Sequence, residues 1–290
     1  MHDPSSFFGI NRVPGNGRLI PWALHLCGRR GLMKLAVSGK GGVGKTTLAA
    51  LIGRSLARRG YATLAIDADP APNLGVALGL RPEVADRIVP IGEDADLIAS
   101  KTATGYAGVY NLSFPVDDVV RSRAVPTPSG PDLLVMGTVR AAGGGCTCPS
   151  AAVIRALIRR LVVGERQAVV LDLEAGLEHL GRGTAAGVDL LLVLVDGSAA
   201  ACGIAGRIRS LATELGIPRV ALVGSRFEPG AGEAAVIACA ERLKMPLVAL
   251  LPVDPAVALA GREGRAVPDD GPTVERVEGL LDLLLGEADA

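Results

Sequence analysis

The sequence predicts an α/β fold built on a single doubly wound, mostly parallel sheet. Three observations lead there. Seven short apolar runs recur along the chain, at Leu35–Ser38, Thr63–Asp67, Leu133–Met136, Ala168–Leu173, Leu190–Asp196, Val220–Gly224 and Leu247–Leu251. Stripes of helical spacing separate them, with no central linker that would split the chain in two. The first run feeds directly into a glycine-rich loop, and a helical stripe follows that loop.

Each run is leucine-rich or β-branched and ends at glycine or polar residues. Near-continuous apolar runs of this length are what parallel strands covered on both faces require. The stripes are Leu48, Leu51, Ile52 and Leu56, then Val153, Ile154, Leu157, Ile158 and Leu161, then Ile204, Ile208, Leu211 and Leu215. Gly60 and Gly216 stand where helices should stop. Residues Arg81 to Pro131 are less regular, rich in Pro, Asp and Gly, and are expected to decorate the edge of the sheet. Residues 1–32 carry Pro4, Pro14 and Pro21 without periodicity and read as a dispensable extension. The domain itself is expected over 33–286. Its last helix, from Val274 to Leu285, is amphipathic but acidic, which favours packing on the sheet over a membrane surface.

Composition narrows the function classes. The 290 residues are 49% hydrophobic, enough for a large core. Thirty basic residues balance thirty acidic ones. A net charge of zero gives no general attraction for nucleic acid or an anionic bilayer, so neither nucleic-acid binding nor stable membrane association is expected. No apolar run approaches the roughly 20 residues needed to span a bilayer, and the start lacks the basic stretch of a secretory signal. The five cysteines, Cys27, Cys146, Cys148, Cys202 and Cys239, do not look like a disulfide framework. They point to a reducing cytoplasm. Cys202 and Cys239 lie in alanine-rich helical stretches and read as small buried hydrophobes.

The loop carries the most specific signal. Gly39-Lys40-Gly41-Gly42-Val43-Gly44-Lys45-Thr46 matches GxxxxGK[ST] without a gap, after a strand and before a helix. Its glycines let backbone N–H groups turn toward phosphate oxygens. The helix from Lys45 adds its positive N-terminal end. Lys45 is expected to reach the β- and γ-phosphates of a nucleoside triphosphate, and Thr46 to bind Mg²⁺, with Thr47 beside it. Lys40 is an extra cation that an ordinary loop does not need. A charge there would stabilise developing phosphoryl charge; the alternative is a solvated surface lysine. Two carboxylate motifs end predicted strands, Asp67-Ala68-Asp69-Pro70 and Asp172-Leu173-Glu174-Ala175-Gly176. Ligands bind at such strand ends in open α/β sheets. A buried carboxylate needs a partner, and Mg²⁺ would supply one. Helix capping by Asp69 or Asp172 is the structural alternative.

With its two lysines, the loop resembles the deviant Walker A family of P-loop ATPases, which includes MinD, ParA and the nitrogenase iron protein. The resemblance implies ATP as substrate and an ATP-bridged homodimer in which Lys40 reaches the facing subunit's nucleotide. It also implies that Asp69 orients the attacking water and that Asp172 holds Mg²⁺ through water. The base pocket departs from the pattern. Where the family often has asparagine, the segment reads Leu222-Val223-Gly224-Ser225-Arg226, so Ser225 or Arg226 is expected to take over, helped by backbone near Pro252 and Val253.

Cys146-Thr147-Cys148 follows Gly143-Gly144-Gly145 and precedes a helical stripe. The two thiols are poorly spaced for a mutual disulfide, but they can share a metal. A tetrahedral site needs four ligands, which a two-fold dimer would complete. Soft thiolates suit Zn²⁺ or Ni²⁺; the alternative is a pair of incidental loop cysteines. Together with Gly176-Leu177-Glu178-His179-Leu180-Gly181-Arg182-Gly183-Thr184, the pair resembles the CooC-type carbon monoxide dehydrogenase accessory ATPases. That resemblance implies a dimeric metallochaperone for nickel insertion, with Cys146 and Cys148 as interface metal ligands and carbon monoxide dehydrogenase or another metalloenzyme as client. Glu174 departs from the small residue usual there. Glu178 and His179 are read as solvating a switch helix rather than as ligands. The competing expectation is a positioning ATPase like MinD or ParA, acting on membrane or DNA.

Overall fold

The computed structural model describes residues 32–104, 114–137, 153, 156–159, 161, 164–174 and 187–286. Eight strands form one sheet: β1 (Leu32–Gly39), β2 (Ala62–Ala68), β3 (Val125–Pro126), β4 (Asp132–Val135), β5 (Gln167–Leu173), β6 (Leu190–Val195), β7 (Val220–Phe227) and β8 (Leu247–Pro252). Their order is β3-β4-β2-β5-β1-β6-β7-β8. Every pairing is parallel except β3 with β4. All seven expected strands are present. The addition is β3, two residues whose Val125-Pro126 sequence carries no alternation to read; its antiparallel pairing closes one edge of the sheet.

The α-helices with both ends among the described residues are α1 (Lys45–Arg58), α2 (Leu74–Ala77), α3 (Pro82–Ala85), α4 (Ala95–Thr102), α5 (Asp117–Arg123), α6 (Ala199–Glu214), α7 (Ala231–Leu243), α8 (Pro255–Arg262) and α9 (Pro272–Leu285). Two cores lie on opposite faces of the sheet. On one, Leu48, Leu51, Ile52 and Leu56 of α1 and Val277, Leu280, Leu281 and Leu284 of α9 cover Leu35, Val37, Val170, Leu192 and Val223. On the other, Ala205 and Ile208 of α6 and Val236 of α7 join Leu157 and Ile158 over Leu171, Leu191, Val193 and Leu222. β6 reads Leu-Leu-Leu-Val-Leu-Val because both its faces are covered.

Two ties hold outer elements to this frame. Arg54 of α1, 2% exposed, donates to the carbonyls of Val267 and Pro268 and to Asp269. Arg59 pairs with Glu278 and Asp282 of α9. The acidic face of the C-terminal helix is thus used against α1, and its apolar face is on the sheet as expected.

One expectation is corrected. Cys202 and Cys239 are buried, but they are not separate small hydrophobes; they form a disulfide. The reason is tertiary. α6 and α7 lie on the same face of the sheet, which brings two cysteines 37 residues apart to a Cα–Cα distance of 5.9 Å. That lies within the range a disulfide spans. No helix among the described residues is long and apolar enough to cross a membrane.

Candidate functional site

β1 lies at the centre of the sheet, between β5 and β6. The chain leaves β1 toward β2 on one side, and later crosses from β5 to β6 on the other. Ligand crevices form at this kind of reversal, beyond the carboxyl ends of the strands. The glycine loop occupies that position. Gly39 has φ 147, and a Cβ there would lie 2.7 Å from the Leu194 carbonyl oxygen, so the close approach to β6 requires glycine. Gly44 has φ 101 and forms the N-cap of α1. No side chain caps α1, and its first turn holds no acidic residue. Its leading N–H groups and dipole therefore favour an anion. Val43 N–H donates to the Lys40 carbonyl at 3.3 Å, and Lys45 Nζ reaches the same oxygen at 3.5 Å. Lys45 is 7% exposed, so its ammonium is held inside the loop's curve.

Two carboxylates complete the floor of the crevice. Asp67 and Asp172 are register neighbours at the ends of β2 and β5, and both are buried. Asp67 accepts from Asp69 N–H at 3.1 Å and from Leu74 N–H, at the start of α2, at 2.8 Å. Burial pushes its pKa up to about 6, against these bonds. Neither oxygen of Asp172 has a hydrogen-bond partner. Burial is the main cause that raises its pKa to about 7; Asp67 and Asp69 add to the rise, while Thr46 and Lys45 oppose it. Thr46 faces the carboxylate without reaching good hydrogen-bond geometry. An orphaned buried carboxylate beside a hydroxyl is a hard oxygen set that fits Mg²⁺. Capping does not explain Asp172. Asp69 is partly exposed and accepts from Ala71 N–H at 2.9 Å, which closes a turn, not a helix.

Lys40 is 37% exposed and lies 3.5 Å from Asp196 Oδ2. The other oxygen of Asp196 accepts from the Ser198 N–H and hydroxyl, at 2.9 and 2.5 Å. These bonds and Lys40 hold the Asp196 pKa below the usual carboxylate range despite partial burial. Ser225 and Arg226 lie just before the last residue of β7, at the same end of the sheet. Ser225 is buried, and Arg226 Nη1 donates to the Gly42 carbonyl at 2.6 Å. Pro252 pairs with Phe227, and Val253 N–H donates to the Phe227 carbonyl at 3.2 Å.

Lys45, Thr46, Asp172 and, at its margin, Asp69 are thus brought to one crevice, with Lys40 on its rim. Two participants have no role that the sequence alone assigns. Asp67 was visible only as part of its motif, and the in-register pairing that sets it beside Asp172 is a sheet property. Asp196 ended an apolar run, a signal like that of Asp172 but with no motif around it. Cys146, Cys148, Ala175, Gly176, Glu178 and His179 lie outside the described residues. Among the described residues, no group of three or more His, Cys, Asp or Glu side chains could hold a metal ion.

Comparison with known proteins agrees with this geometry. A family model, the CobQ/CobB/MinD/ParA nucleotide binding domain, matches residues 34–267. The carbon monoxide dehydrogenase accessory protein CooC of Rhodospirillum rubrum is 34% identical over 87% of this chain and 96% of its own. An uncharacterized ATP-binding protein of Methanocaldococcus jannaschii is 30% identical over 87% of this chain and 98% of its own. Among solved structures, the MinC:MinD cell division complex of Aquifex aeolicus superposes with a TM-score of 0.64 at 21% identity, covering 88% of this chain and 96% of that one.

Proposed function

The chain belongs to the CobQ/CobB/MinD/ParA nucleotide-binding family and is an ATPase; from that premise we propose that it is a dimeric accessory ATPase for maturation of a metal enzyme, carbon monoxide dehydrogenase or a related client, with nickel or zinc as cargo. The observation that carries this reading is the near full-length match to CooC at 34% identity. The likeness to MinD structures, at 21%, extends to the fold alone. The cysteine pair Cys146 and Cys148 gives the reading a chemistry, since soft thiolates hold Ni²⁺ or Zn²⁺.

In this reading ATP lies along the glycine loop. Lys45 leaves the Lys40 carbonyl to meet the β- and γ-phosphates. Thr46 and Asp172 would hold Mg²⁺, Asp172 through water, and the ion would offset charge on the phosphates. Asp69, at the mouth of the crevice, orients the attacking water. Lys40 leaves Asp196 for the nucleotide of a second chain, closing the dimer. Closure brings Cys146 and Cys148 of both chains to one four-thiolate site, and hydrolysis reopens it to release metal.

The test is to size the protein by light scattering with and without Mg-ATP and with Ni²⁺ or Zn²⁺, counting bound metal. The expected result is a dimer with one metal per two chains, and loss of that metal in Cys146→Ser/Cys148→Ser with the ATPase retained. A metal stoichiometry unchanged in the double variant would sink the cargo site. Salt-sensitive DNA binding or flotation with liposomes would favour a positioning ATPase instead.

A further inference from the structure

The last residues of β7 approach the phosphate loop from outside. Arg226 has φ 55, a left-handed conformation that side chains other than asparagine, aspartate or histidine adopt reluctantly. Its stem passes over Gly44: a Cβ at Gly44 would lie 3.6 Å from Arg226 Cδ and 3.2 Å from Ser225 Oγ. Its Nη1 then donates to the Gly42 carbonyl at 2.6 Å. Gly42 and Gly44 both have positive φ, so the side chain crosses the loop where its backbone turns. A trans peptide carries its C=O and N–H on opposite sides. A carbonyl held outside the loop therefore fixes the plane of the Gly42–Val43 peptide and keeps the Val43 N–H inside. There that N–H shares the Lys40 carbonyl with Lys45 Nζ. A guanidinium suits the task because it stays charged and its bond to a carbonyl is charge-assisted.

We propose that Arg226 is a positioning residue that straps the phosphate loop into its phosphate-ready shape through the Gly42 carbonyl, rather than a reader of the base. The proposal rests on nucleotide binding at this loop and is independent of client and cargo. A base reader acts only when a base is present. A strap acts on any ligand of the loop, including one with no base at all.

Binding of Mg-ATP and of Mg-tripolyphosphate, measured by calorimetry, separates the two. Arg226→Asn is the main variant, because asparagine tolerates the left-handed backbone but is too short to reach Gly42. Both ligands are expected to bind about five- to tenfold more weakly, as for loss of one partly solvated charged hydrogen bond. Arg226→Lys should restore part of the loss for both, and the Tm of the ligand-free protein should stay unchanged. A loss confined to ATP would overturn the strap and make Arg226 a base contact. Unchanged affinity for both ligands, or a loss that tracks a lowered Tm with no rescue by lysine, would also overturn it. Wild-type protein that bound neither ligand would reject nucleotide binding itself, and the strap with it.

Discussion

The least ordinary residue in the crevice is Asp172, a buried carboxylate with no hydrogen bond to either oxygen. Beside Asp67 it titrates as part of a pair, with pKa values pushed up to about 6 and about 7. Both groups bind protons in the native state that the unfolded chain releases near pH 4. Their contribution to stability is therefore fully present below about pH 4 and is lost as pH rises through 6 and 7. Mg²⁺ favours the carboxylate, so Mg-ATP should bind more tightly as pH rises across this window and should release protons as it binds. Calorimetry at about pH 6.5 in two buffers of different ionisation enthalpy reads that release directly. Asp172→Asn is expected to abolish most of it and to raise the Tm of the ligand-free protein above pH 7. Equal heats in both buffers for the wild type would contradict this.

At the scale of elements, three helices that flank the crevice, α1, α6 and α7, are tethered away from it. α1 is anchored by Arg54 and Arg59 to the C-terminal segment. α6 and α7 are joined by the Cys202–Cys239 disulfide. These two helices follow Asp196 and Arg226, the side chains that hold Lys40 and Gly42. A cross-link over 37 residues of sequence is worth roughly 2–4 kcal/mol by its effect on the unfolded chain. Reductant should therefore lower the Tm by several degrees. Cys202→Ala/Cys239→Ala should match the reduced protein and show no further response to reductant. A Tm indifferent to reductant in the wild type would mean that the bond contributes nothing in solution.

For the whole molecule, the question is what Lys40 does in the proposed dimer. In the single chain it pairs with Asp196, partly exposed, so the pair adds little stability. Lys40→Ala should leave Tm unchanged within about a degree. If Lys40 serves a partner's nucleotide, the variant should lose both ATP-driven dimerisation and most ATPase activity. A dimer and turnover that survive the substitution would place its role elsewhere.

Much of this was legible in the sequence. Seven strands could be read because the six inner ones are buried and even the half-buried edge strand β8 is written as an unbroken apolar run. β3 could not, because two residues carry no period. The phosphate loop could be read because its chemistry is local: glycines, a lysine and a helix start within eight consecutive residues determine it. Fold class, phosphate loop and the carboxylates at the ends of β2 and β5 are all legible in the linear order of residues. Which distant groups meet is set by the folded chain: Asp67 beside Asp172, Lys40 on Asp196, Arg226 on Gly42 and Cys202 bonded to Cys239. The difference is one of range. Backbone conformation and burial leave a periodic trace in neighbouring residues, while a contact across 37 or 184 positions depends on sheet order and helix packing and leaves none.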